Sequence, residues 1–456
     1  MKNRVVALVL VAMLMLSIAP LATAQEGEFV STLDLPVEPA SEGELAGVDP
    51  SGQTVEYWYR VHSSDEEALQ VKIVEFNENN PWGITIEGTS QGNYGDIYQK
   101  MVAGIAAGEV PDLVIAYQNQ AATYQLDDVM TDMDIYVNDA VWGLNEAEQA
   151  DFFQGIFVQD ISPQFGQRLG FPSQRSMEGM YVNLDALKEL GYDAPPASWE
   201  EFGEMACAWT ESGEGRMGYS IRTDASYIAA ATFALGGDIF DYENDEYVFN
   251  GEETVYALTA LVDLLDAGCI NRIAEQYGDQ TDFANQKNLF FVGSTSGLPY
   301  VASAIAESEM GDFEWTIAPL PYADLGATEP TMNLYGASVS VVNTTPEEGL
   351  AAWLFVRWMS EPDQLAYWAE NTGYYPVRGT AAEAMADYLA ENAEYAAGFA
   401  LLSSVKAEPP VAGYDVVRDM AEESGFFEIL DGADAQEVLD TVTDDVNEVY
   451  QTQFQP

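Results

Sequence analysis

The stretch DIYQKMVAGIAAGEVPDLVIAY, residues 96–117, contains the pattern that decides the fold class. Ile97, Met101 and Ile105 are spaced by four residues, which predicts a helix with one apolar face. Gly108 is suited to end that helix, and PDLVIAY then predicts a short buried strand. A helix that leads into a buried strand is typical of a parallel sheet covered by helices.

The same alternation extends towards the N-terminus. The stretch 53–61, QTVEYWYRV, is rich in β-forming residues and predicts the first strand. Leu69, Ile73 and Phe76 then fall on one face of a helix. The stretch 83–89, GITIEGT, predicts the next strand. The order β-α-β-α-β therefore predicts a parallel sheet with helices on its faces.

A second alternating series begins near residue 169. MEGMYVN (177–183) predicts a strand, and SWEEFGEMACAWT (198–210) predicts a helix that opens with a capping box. TTPEEGLAAWLFVRWMS (344–360) predicts a helix with Thr345 as its cap and Pro346 at its first position. The chain has no internal repeat or heptad pattern. Two α/β lobes are the predicted architecture.

The N-terminal residues predict export. Residues 1–24 have a basic start, an apolar run from Val5 to Ile18 and small residues at Ala22–Ala24, which is typical of a signal peptide cut before Gln25. The apolar run is short for an uncleaved membrane anchor. Residues 25–51 are acidic and rich in Pro and Gly, so they predict a flexible leader. No cysteine lies near the cleavage site, and a periplasmic or extracellular protein without a lipid anchor is expected.

The charge of the chain excludes several classes of partner. Acidic residues number 76 and basic residues 16, a formal net charge of −60. Phosphate backbones require a basic surface, so the chain is not predicted to bind nucleic acid, and anionic membranes are disfavoured for the same reason. Neighbouring carboxylates are so common that a pair of them does not indicate a metal site. Motifs for nucleotide cofactors are absent, so neither a metal nor a cofactor is predicted.

Catalysis has little support. The only histidine is His62, and no G-x-S-x-G turn accompanies it. A secreted glycan hydrolase needs two carboxylates in different environments, and the sequence singles out no such pair. The hydrolase alternative stays open, but no catalytic residue is assigned and a non-enzymatic protein is predicted.

Two cysteines, Cys207 and Cys269, occur in this exported chain. An oxidising compartment makes a disulfide between them plausible. Two buried thiols are the alternative. The spacing alone does not separate the two.

Aromatic residues recur where the predicted strands end. Tyr59 ends the first strand, Tyr94 precedes a helix, Tyr335 precedes Gly336, and Tyr374 lies two residues before Pro376. Ligands of open α/β sheets bind beyond the carboxyl ends of the strands. Aromatic faces combined with neutral hydrogen-bonding groups suit a sugar. Each tyrosine taken alone is more often a core residue, and their repeated position is the stronger signal.

The stretch NTGYYPVR, residues 371–378, has two interpretations. In the first, Gly373 ends a helix, the two tyrosines fill a core and Pro376 keeps the helix from resuming. In the second, the stretch is a hinge strand that offers an aromatic face to a ligand in a cleft.

Taken together, these segments resemble the family 1 extracellular solute-binding proteins of ABC importers. The family binds maltose-type sugars, other carbohydrates or glycerol 3-phosphate, and its fold is the type II periplasmic-binding-protein fold, two α/β lobes joined by a multi-strand hinge around one cleft. The resemblance covers nearly the whole chain from about residue 53. It is carried by the segments 57–81, 92–117, 170–202, 293–301, 318–322 and 335–378, in that order.

The resemblance also implies how the lobes divide. The crossings between lobes would fall near residues 169–173, 314–318 and 372–377. Lobe one would hold 52–170 and 317–372, and lobe two would hold 173–314 and 376–456. On that division NTGYYPVR is the last crossing and both cysteines lie in one lobe.

Ligand-binding residues follow from the resemblance position by position. Arg175 lies beside the matched Ser176, and the Ser/Gly loop GSTSG leaves Ser294 or Ser296 as the candidate. The matched positions in this chain are Tyr94, Gln118, Ser176, Ser294 or Ser296, Gly336 and Tyr374. Tyr59 and Tyr335 join them as aromatic residues at strand ends.

The resulting prediction is an exported, monomeric solute receptor. It would capture a neutral carbohydrate or polyol by lobe closure and deliver it to the permease subunits of an ABC importer in the membrane. A glycerol phosphate, phosphodiester or sugar phosphate is the alternative, and Arg175 would then be essential. The phosphate-binding branch of the family has an arginine in its last segment, whereas Arg418 comes too late in this chain to match it.

Overall fold

The computed structural model describes residues 29–60, 63–275 and 277–455. The strands are β1 Thr54–Tyr59, β2 Thr85–Ser90, β3 Leu113–Ala116, β4 Ser176–Asn183, β5 Met217–Ile221, β6 Phe240–Asp241, β7 Glu246–Tyr247, β8 Ile270–Arg272, β9 Asn288–Ser294, β10 Trp315–Ala318, β11 Met332–Tyr335, β12 Ser338–Val341 and β13 Val405–Ala407.

Helices cover both sheets and make up most of the C-terminal third. The helices are α1 Ser63–Asn79, α2 Tyr94–Ala107, α3 Gln118–Gln125, α4 Asp134–Val137, α5 Glu146–Asp151, α6 Gln154–Phe157, α7 Leu184–Leu190, α8 Trp199–Glu211, α9 Ala225–Ala234, α10 Glu252–Asp266, α11 Gly278–Ala284, α12 Leu298–Glu307, α13 Pro346–Met359, α14 Pro362–Thr372, α15 Gly379–Ala384, α16 Ala386–Glu391, α17 Ala393–Ala400, α18 Tyr414–Met420, α19 Phe427–Leu430 and α20 Ala435–Gln453.

The first sheet has the strand order β12-β3-β1-β2. Strands β1, β2 and β3 are parallel, and β12 runs antiparallel to β3. Helix α2 connects β2 to β3. It begins with a capping box between Asn93 and Asp96, buries Ile97 and Met101, and ends at Gly108 with φ of 73°. The β-α-β-α-β prediction is confirmed for this part of the chain.

The second sheet has the order β13-β11-β4-β9-β5-β8, with β10 paired to β4 as well. All eight residues of β4 are buried, because helices cover both faces of the sheet. One face packs against residues such as Trp199, Phe202 and Leu258. The other face packs against residues such as Phe283 and Tyr395.

Strands β10 and β11 depart from the predicted lobe boundaries. Ile317 lies opposite Tyr181 and Leu334 lies opposite Met177, so both strands belong to the second sheet rather than to lobe one. The chain returns to the first sheet only between Tyr335 and Ser338, which places that crossing about twenty residues later than 314–318. A strand's own sequence predicts that it is extended, whereas its sheet depends on which partner edge is available.

The described part of the predicted flexible leader, residues 29–51, is packed against the first lobe. Leu35, Ala40 and Leu45 are buried. The indole nitrogen of Trp82 donates to the carbonyl of Pro36 at 2.9 Å. The segment is therefore docked rather than flexible, because a few apolar residues anchor it. Its acidic, Pro- and Gly-rich composition as a whole did not indicate these contacts. The predicted signal peptide, residues 1–24, and His62 lie outside the described residues.

A disulfide joins Cys207 in α8 to Cys269, the residue before β8. It spans 62 residues of sequence and ties a covering helix to the edge of the second sheet. The disulfide alternative of the sequence analysis is therefore confirmed.

Three segments pass between the two sheets. The first leads from Phe171, which bridges to Val339, into β4. The second contains Gly336, and the third follows α14. The first and third are paired, since the amide of Tyr375 donates to the carbonyl of Arg175 at 2.8 Å.

The end of α14 is shaped by Gly373. This residue has φ of 77°, and a Cβ there would lie 2.6 Å from the Cδ of Pro299. Glycine alone fits both the left-handed conformation and the close contact. The helix stop predicted from NTGYYPVR is therefore present.

Candidate functional site

A cavity of about 290 Å³ lies between the two sheets. The first sheet contributes residues at the carboxyl end of β3 and the start of α2, and the second contributes residues of β4, β9 and β11. The side chains in its walls include Arg60, Tyr94, Tyr117, Gln118, Ser176, Glu178, Tyr219, Arg222, Asp224, Tyr227, Ser294, Ser296, Tyr335, Tyr374, Glu408, Tyr414 and Arg418. This position agrees with the rule that ligands of α/β sheets bind beyond the strand ends.

Tyrosines form the wall on the side of the first sheet. The rings of Tyr94 and Tyr117 meet edge to face with centroids 4.9 Å apart. The hydroxyls of Tyr94 and Tyr374 lie 3.5 Å apart. Burial raises the pKa of both Tyr117 and Tyr374 well above the ordinary value. These phenols therefore stay neutral near neutral pH and can both donate and accept hydrogen bonds.

The two adjacent tyrosines of NTGYYPVR have different roles. Tyr375 is fully buried and packs against Tyr395 with ring centroids 4.9 Å apart. Tyr374 lines the cavity, and its carbonyl accepts a hydrogen bond from the hydroxyl of Tyr395 at 2.7 Å. Each of the two interpretations thus describes one tyrosine.

Gln118 is the first residue of α3 and follows directly on β3. Its side-chain nitrogen donates to Asp160 Oδ1 at 2.9 Å and to Ser338 Oγ at 3.1 Å. The short connection from β3 to α3 thus places this amide in the wall of the cavity, where Asp160 and Ser338 accept its hydrogen bonds.

The wall on the side of the second sheet contains a carboxyl group held neutral. Tyr335 Oη donates to Glu178 Oε2 at 2.5 Å. Burial, together with the charge of Asp224, raises the pKa of Glu178 to about 8, although Tyr335 and Arg222 act in the opposite direction. At neutral pH Glu178 is therefore mostly protonated and can donate a hydrogen bond.

Serines complete this wall. Ser294 and Ser296 have hydroxyls 2.8 Å apart, and the amide of Ser296 donates to Ser294 Oγ. Ser176 Oγ donates to the carbonyl of Tyr335 at 3.4 Å. Both members of the predicted Ser294 or Ser296 alternative line the cavity.

Each arginine of the cavity is paired with a carboxylate. Arg222 donates to Asp279 at 2.7 Å. Arg418 donates to Asp224 at 3.3 Å.

The third arginine, Arg60, donates to Asp65 at 2.5 Å, and its guanidinium lies 4.9 Å from the ring centroid of Tyr94. Glu178, Asp224 and Glu408 also line the cavity. With Glu178 held neutral, Asp65, Asp224, Asp279 and Glu408 supply four negative charges against the three arginines, so the site has no excess of positive charge.

The predicted site residues divide into two groups. Seven of them line the cavity: Tyr94, Gln118, Ser176, Ser294, Ser296, Tyr335 and Tyr374. Tyr59, Arg175 and Gly336 are not among the described lining residues.

These three residues have other positions in the fold. Tyr59 is buried in the first lobe, where its hydroxyl accepts from Gln70 at 2.7 Å. Arg175 is buried and donates to Asp160. Gly336 has φ of 138°, and a Cβ there would lie 3.1 Å from the Cα of Arg175, so this glycine lets two crossings approach each other closely.

Several lining residues were missed by the sequence analysis. Arg222 directly follows β5, so the strand-end rule used for the tyrosines would have found it. Arg418 was not predicted as a site residue, because it lies too late in its segment to match the arginine of the phosphate-binding branch. Helix α18 nevertheless brings it to the cavity, because the position of a helix in space is not given by its distance along the chain.

The described part of the chain contains neither a metal-ligand cluster nor a membrane-spanning helix. Within residues 29–60, 63–275 and 277–455, His, Cys, Asp and Glu form no group of three suited to a metal ion. The helices of the same residues include none with the length and apolarity needed to cross a bilayer.

The chain matches the family described as bacterial extracellular solute-binding protein over residues 73–397. It belongs to this family. Members and structural neighbours of the family are binding proteins rather than enzymes. The solute-binding family is extracellular or periplasmic, which agrees with the predicted export.

Relatives of this solute-binding protein include Brucella binding proteins and sn-glycerol-3-phosphate-binding proteins. A Brucella abortus (strain 2308) protein that carries only the general description of a binding protein is 27% identical over 338 residues, which covers 71% of this chain and 76% of the relative. The sn-glycerol-3-phosphate-binding periplasmic protein of Escherichia coli (strain K12) is 24% identical over 354 residues, covering 73% and 76% of the two chains.

Solved structures share the type II fold. The cyclic alpha-maltosyl-1,6-maltose binding protein of Arthrobacter globiformis superposes with a TM-score of 0.73 at 21% identity, covering 87% of this chain and 98% of that one. UgpB of Mycobacterium tuberculosis, in complex with glycerophosphocholine, has a TM-score of 0.71 at 21% identity and covers 88% and 99%. The sugar-binding protein MalE of Xanthomonas citri has a TM-score of 0.75 at 19% identity, with 88% and 98% covered. The predicted fold class is confirmed.

Proposed function

We propose that this solute-binding protein captures a neutral carbohydrate or polyol in the cavity between its lobes. Closure of the lobes buries the solute, and no covalent chemistry takes place. The protein is exported, acts as a monomer and hands the solute to the permease subunits of an ABC importer.

The observation that supports a neutral solute is the pairing of the charged groups. Arg60, Arg222 and Arg418 each already contact an aspartate. A phosphate would have to displace those aspartates and would also face Glu408. A hydroxyl group has no such cost, since it accepts from an arginine and donates to a carboxylate at the same time.

The aromatic walls support a sugar in particular. Tyr94, Tyr117 and Tyr374 form one side, and Tyr219, Tyr227 and Tyr335 lie on the other. Apolar C–H faces of a sugar ring pack on such rings while the alcohols reach the neighbouring polar groups. The structural neighbours named for maltose-type sugars are consistent with this choice.

A glycerol phosphate or phosphodiester is the second candidate. Relatives include sn-glycerol-3-phosphate-binding proteins, and Arg418 lines the cavity. In this candidate the phosphate would bind Arg418 rather than the predicted Arg175. The Arg175 side chain is only 1% exposed and is paired with Asp160.

A thermal-shift screen tests the proposal. Residues 25–456 would be screened against glucose, maltose, maltotriose, sorbitol, glycerol 3-phosphate and glycerophosphocholine. A solute at a hundred times its Kd stabilises the folded state by about 2.7 kcal/mol, which is a visible shift. We expect a shift with a neutral sugar or polyol and unchanged concentration of that solute after incubation, since no turnover is expected.

Two arginine variants separate the candidates. Arg418→Gln changes a cavity residue. Arg272→Gln is the control, because Arg272 is also paired with an aspartate, Asp431, but does not line the cavity. A shift only with the phosphates, lost in Arg418→Gln and kept in Arg272→Gln, would replace the neutral solute by the second candidate. The proposed monomeric state is tested separately, by measuring the molar mass with size-exclusion chromatography and light scattering.

A further inference from the structure

A buried ion pair contacts Gln118, which is a lining residue of the cavity. Asp160 and Arg175 each have side chains that are 1% exposed, and Arg175 Nη2 donates to Asp160 Oδ2 at 3.2 Å. Arg175 is held in place by its other contacts, since Nη1 donates to the carbonyl of Gln174 at 2.7 Å and the main chain pairs with Tyr375. The position of Asp160 is therefore set by a residue that lies in one of the crossings.

The carboxylate oxygen of Asp160 that does not contact Arg175 accepts a hydrogen bond from Gln118. Asp160 Oδ1 accepts from Gln118 Nε2 at 2.9 Å, and the same nitrogen also reaches Ser338 Oγ at 3.1 Å and the carbonyl of Gly336 at 3.5 Å. A carboxylate and a carbonyl are acceptors only. A flipped amide would place Gln118 Oε1 against both of them, so the surroundings permit one orientation of the amide.

The other end of the amide is directed away from this cluster. Gln118 Oε1 accepts no hydrogen bond from the described part of the chain, and it is not among the buried atoms that lack a partner. Gln118 is itself a lining residue. An accessible oxygen on a lining residue is available to a solute in the cavity.

We propose that Asp160, held by Arg175, is a positioning residue that fixes Gln118 with its carbonyl oxygen towards the cavity, so that the site selects a solute with a free hydroxyl at this point. A hydroxyl donates to that oxygen, whereas a phosphate or carboxylate group offers only acceptors and is repelled. The choice of solute rests on the proposed function. The orientation of the amide does not, and it can be measured without any solute.

Hydrogen exchange of the Gln118 side-chain amide tests the orientation. Residues 25–456 would be labelled with ¹⁵N-glutamine, and the Gln118 signal assigned by its loss in Gln118→Met. We expect its NH₂ group to exchange at least about tenfold more slowly than that of Gln451, whose side chain is exposed. Equal rates for the two amides in the unmodified protein would overturn the proposal, and this measurement requires no change at Asp160.

Variants then identify the group that holds the amide. Asp160→Asn is expected to bring the Gln118 rate close to that of Gln451, since an asparagine can present either end to Gln118. Ser338→Ala removes a neutral acceptor and is expected to keep most of the protection. Protection that survives Asp160→Asn would show that Asp160 does not position the amide.

Binding tests the selection. The probe is an equimolar mixture of glucose, maltose and sorbitol, measured by thermal shift. We expect Asp160→Asn to weaken binding of the mixture about tenfold relative to Ser338→Ala. Unchanged binding after loss of exchange protection would overturn the selection. No shift in the unmodified protein would count against the proposed solute class, while the exchange rates would still decide the orientation.

Discussion

At the scale of single residues, Glu178 is a carboxyl group whose charge the fold disfavours. It is 7% exposed and lies beside Tyr335 and Asp224. Burying an ionised carboxylate is costly, so the folded state prefers the protonated form. A group of this kind links the stability of the protein to pH.

We predict that Glu178 makes stability fall as pH rises. Its pKa is raised from 4.5 to about 8, so between these values the folded state binds more protons than the unfolded state. The contribution is fully present below pH 4.5 and is lost as pH passes about 8. Glu178→Gln should therefore lose less stability across this range than the unmodified protein, as measured by Tm at each pH.

The exposed Glu78 provides the control for this experiment. Glu78→Gln removes a carboxylate without changing a buried group, so its pH profile should follow that of the unmodified protein. Parallel profiles for the unmodified protein and Glu178→Gln would contradict the prediction.

Arg175 is a second residue whose effect depends on its surroundings. We predict that Arg175→Ala destabilises the protein by about 3–5 kcal/mol, because it leaves the buried carboxylate of Asp160 without a cationic partner. Urea unfolding measures the loss. The double change Arg175→Ala with Asp160→Asn should recover part of it, and an unchanged unfolding midpoint in the single variant would contradict this account.

At the scale of structural elements, the disulfide joins helix α8 to the edge of the second sheet. Strand β8 has only three residues and pairs with β5 alone among the described strands. Cross-linking it to α8 restricts the unfolded chain over 62 residues. The disulfide thus joins the start of a short edge strand covalently to a helix that covers the sheet.

We predict that Cys207→Ala with Cys269→Ala lowers the free energy of unfolding by about 4 kcal/mol, the loop-closure value for a loop of this length. Denaturant unfolding gives the difference. A reducing agent should shift the midpoint of the unmodified protein in the same direction and leave the double variant unchanged. Equal midpoints for both proteins under oxidising conditions would rule out a stabilising bridge.

Residues 29–51 behave as a structural element despite their acidic composition. The amide of Thr32 donates to Glu361 at 2.5 Å, and the amide of Leu45 donates to Asp139 at 3.4 Å. The segment thus covers polar groups of the first lobe as well as the indole of Trp82.

We predict that Leu45→Ala destabilises the protein by about 2–5 kcal/mol, the usual cost of truncating a buried leucine. Val37→Ala is the matched control in the same segment, because Val37 is 49% exposed. It should change the unfolding midpoint little. Equal effects of the two substitutions would show that the segment is not docked in solution.

At the scale of the whole molecule, the net charge of −60 opposes compaction. Fourteen ion pairs occur among the described residues, and several of their basic members are used at the cavity and the crossings. With 76 acidic residues against 16 basic ones, most carboxylates have no cationic partner, and their mutual repulsion is reduced by salt.

We predict that Tm rises when sodium chloride is increased from low to molar concentration, because the Debye length falls from about 30 Å at 0.01 M to about 3 Å at 1 M. Differential scanning fluorimetry measures the rise. The same titration near pH 4, where many carboxylates are protonated, is the control and should give a smaller rise. A Tm that is independent of salt at neutral pH would contradict the prediction.

Local sequence determined much of what is seen here. The spacing of Ile97, Met101 and Ile105 and the stop at Gly108 depend on neighbouring residues only, so α2 and β3 were predictable. The same holds for the α14 stop at Gly373. Seven of the ten predicted site residues line the cavity, because strand ends and matched motifs are local features, whereas ten of the seventeen named wall side chains were not predicted.

Tertiary structure alone decided which groups meet. Arg175 and Arg418 are equally charged in sequence, yet one is buried against Asp160 and the other lines the cavity. Strand β11 pairs with β4 across 157 to 159 residues of sequence, and residues 29–51 dock on side chains as distant as Glu361. These outcomes depend on long-range packing and on burial of charge, and neither is encoded in the spacing of nearby residues.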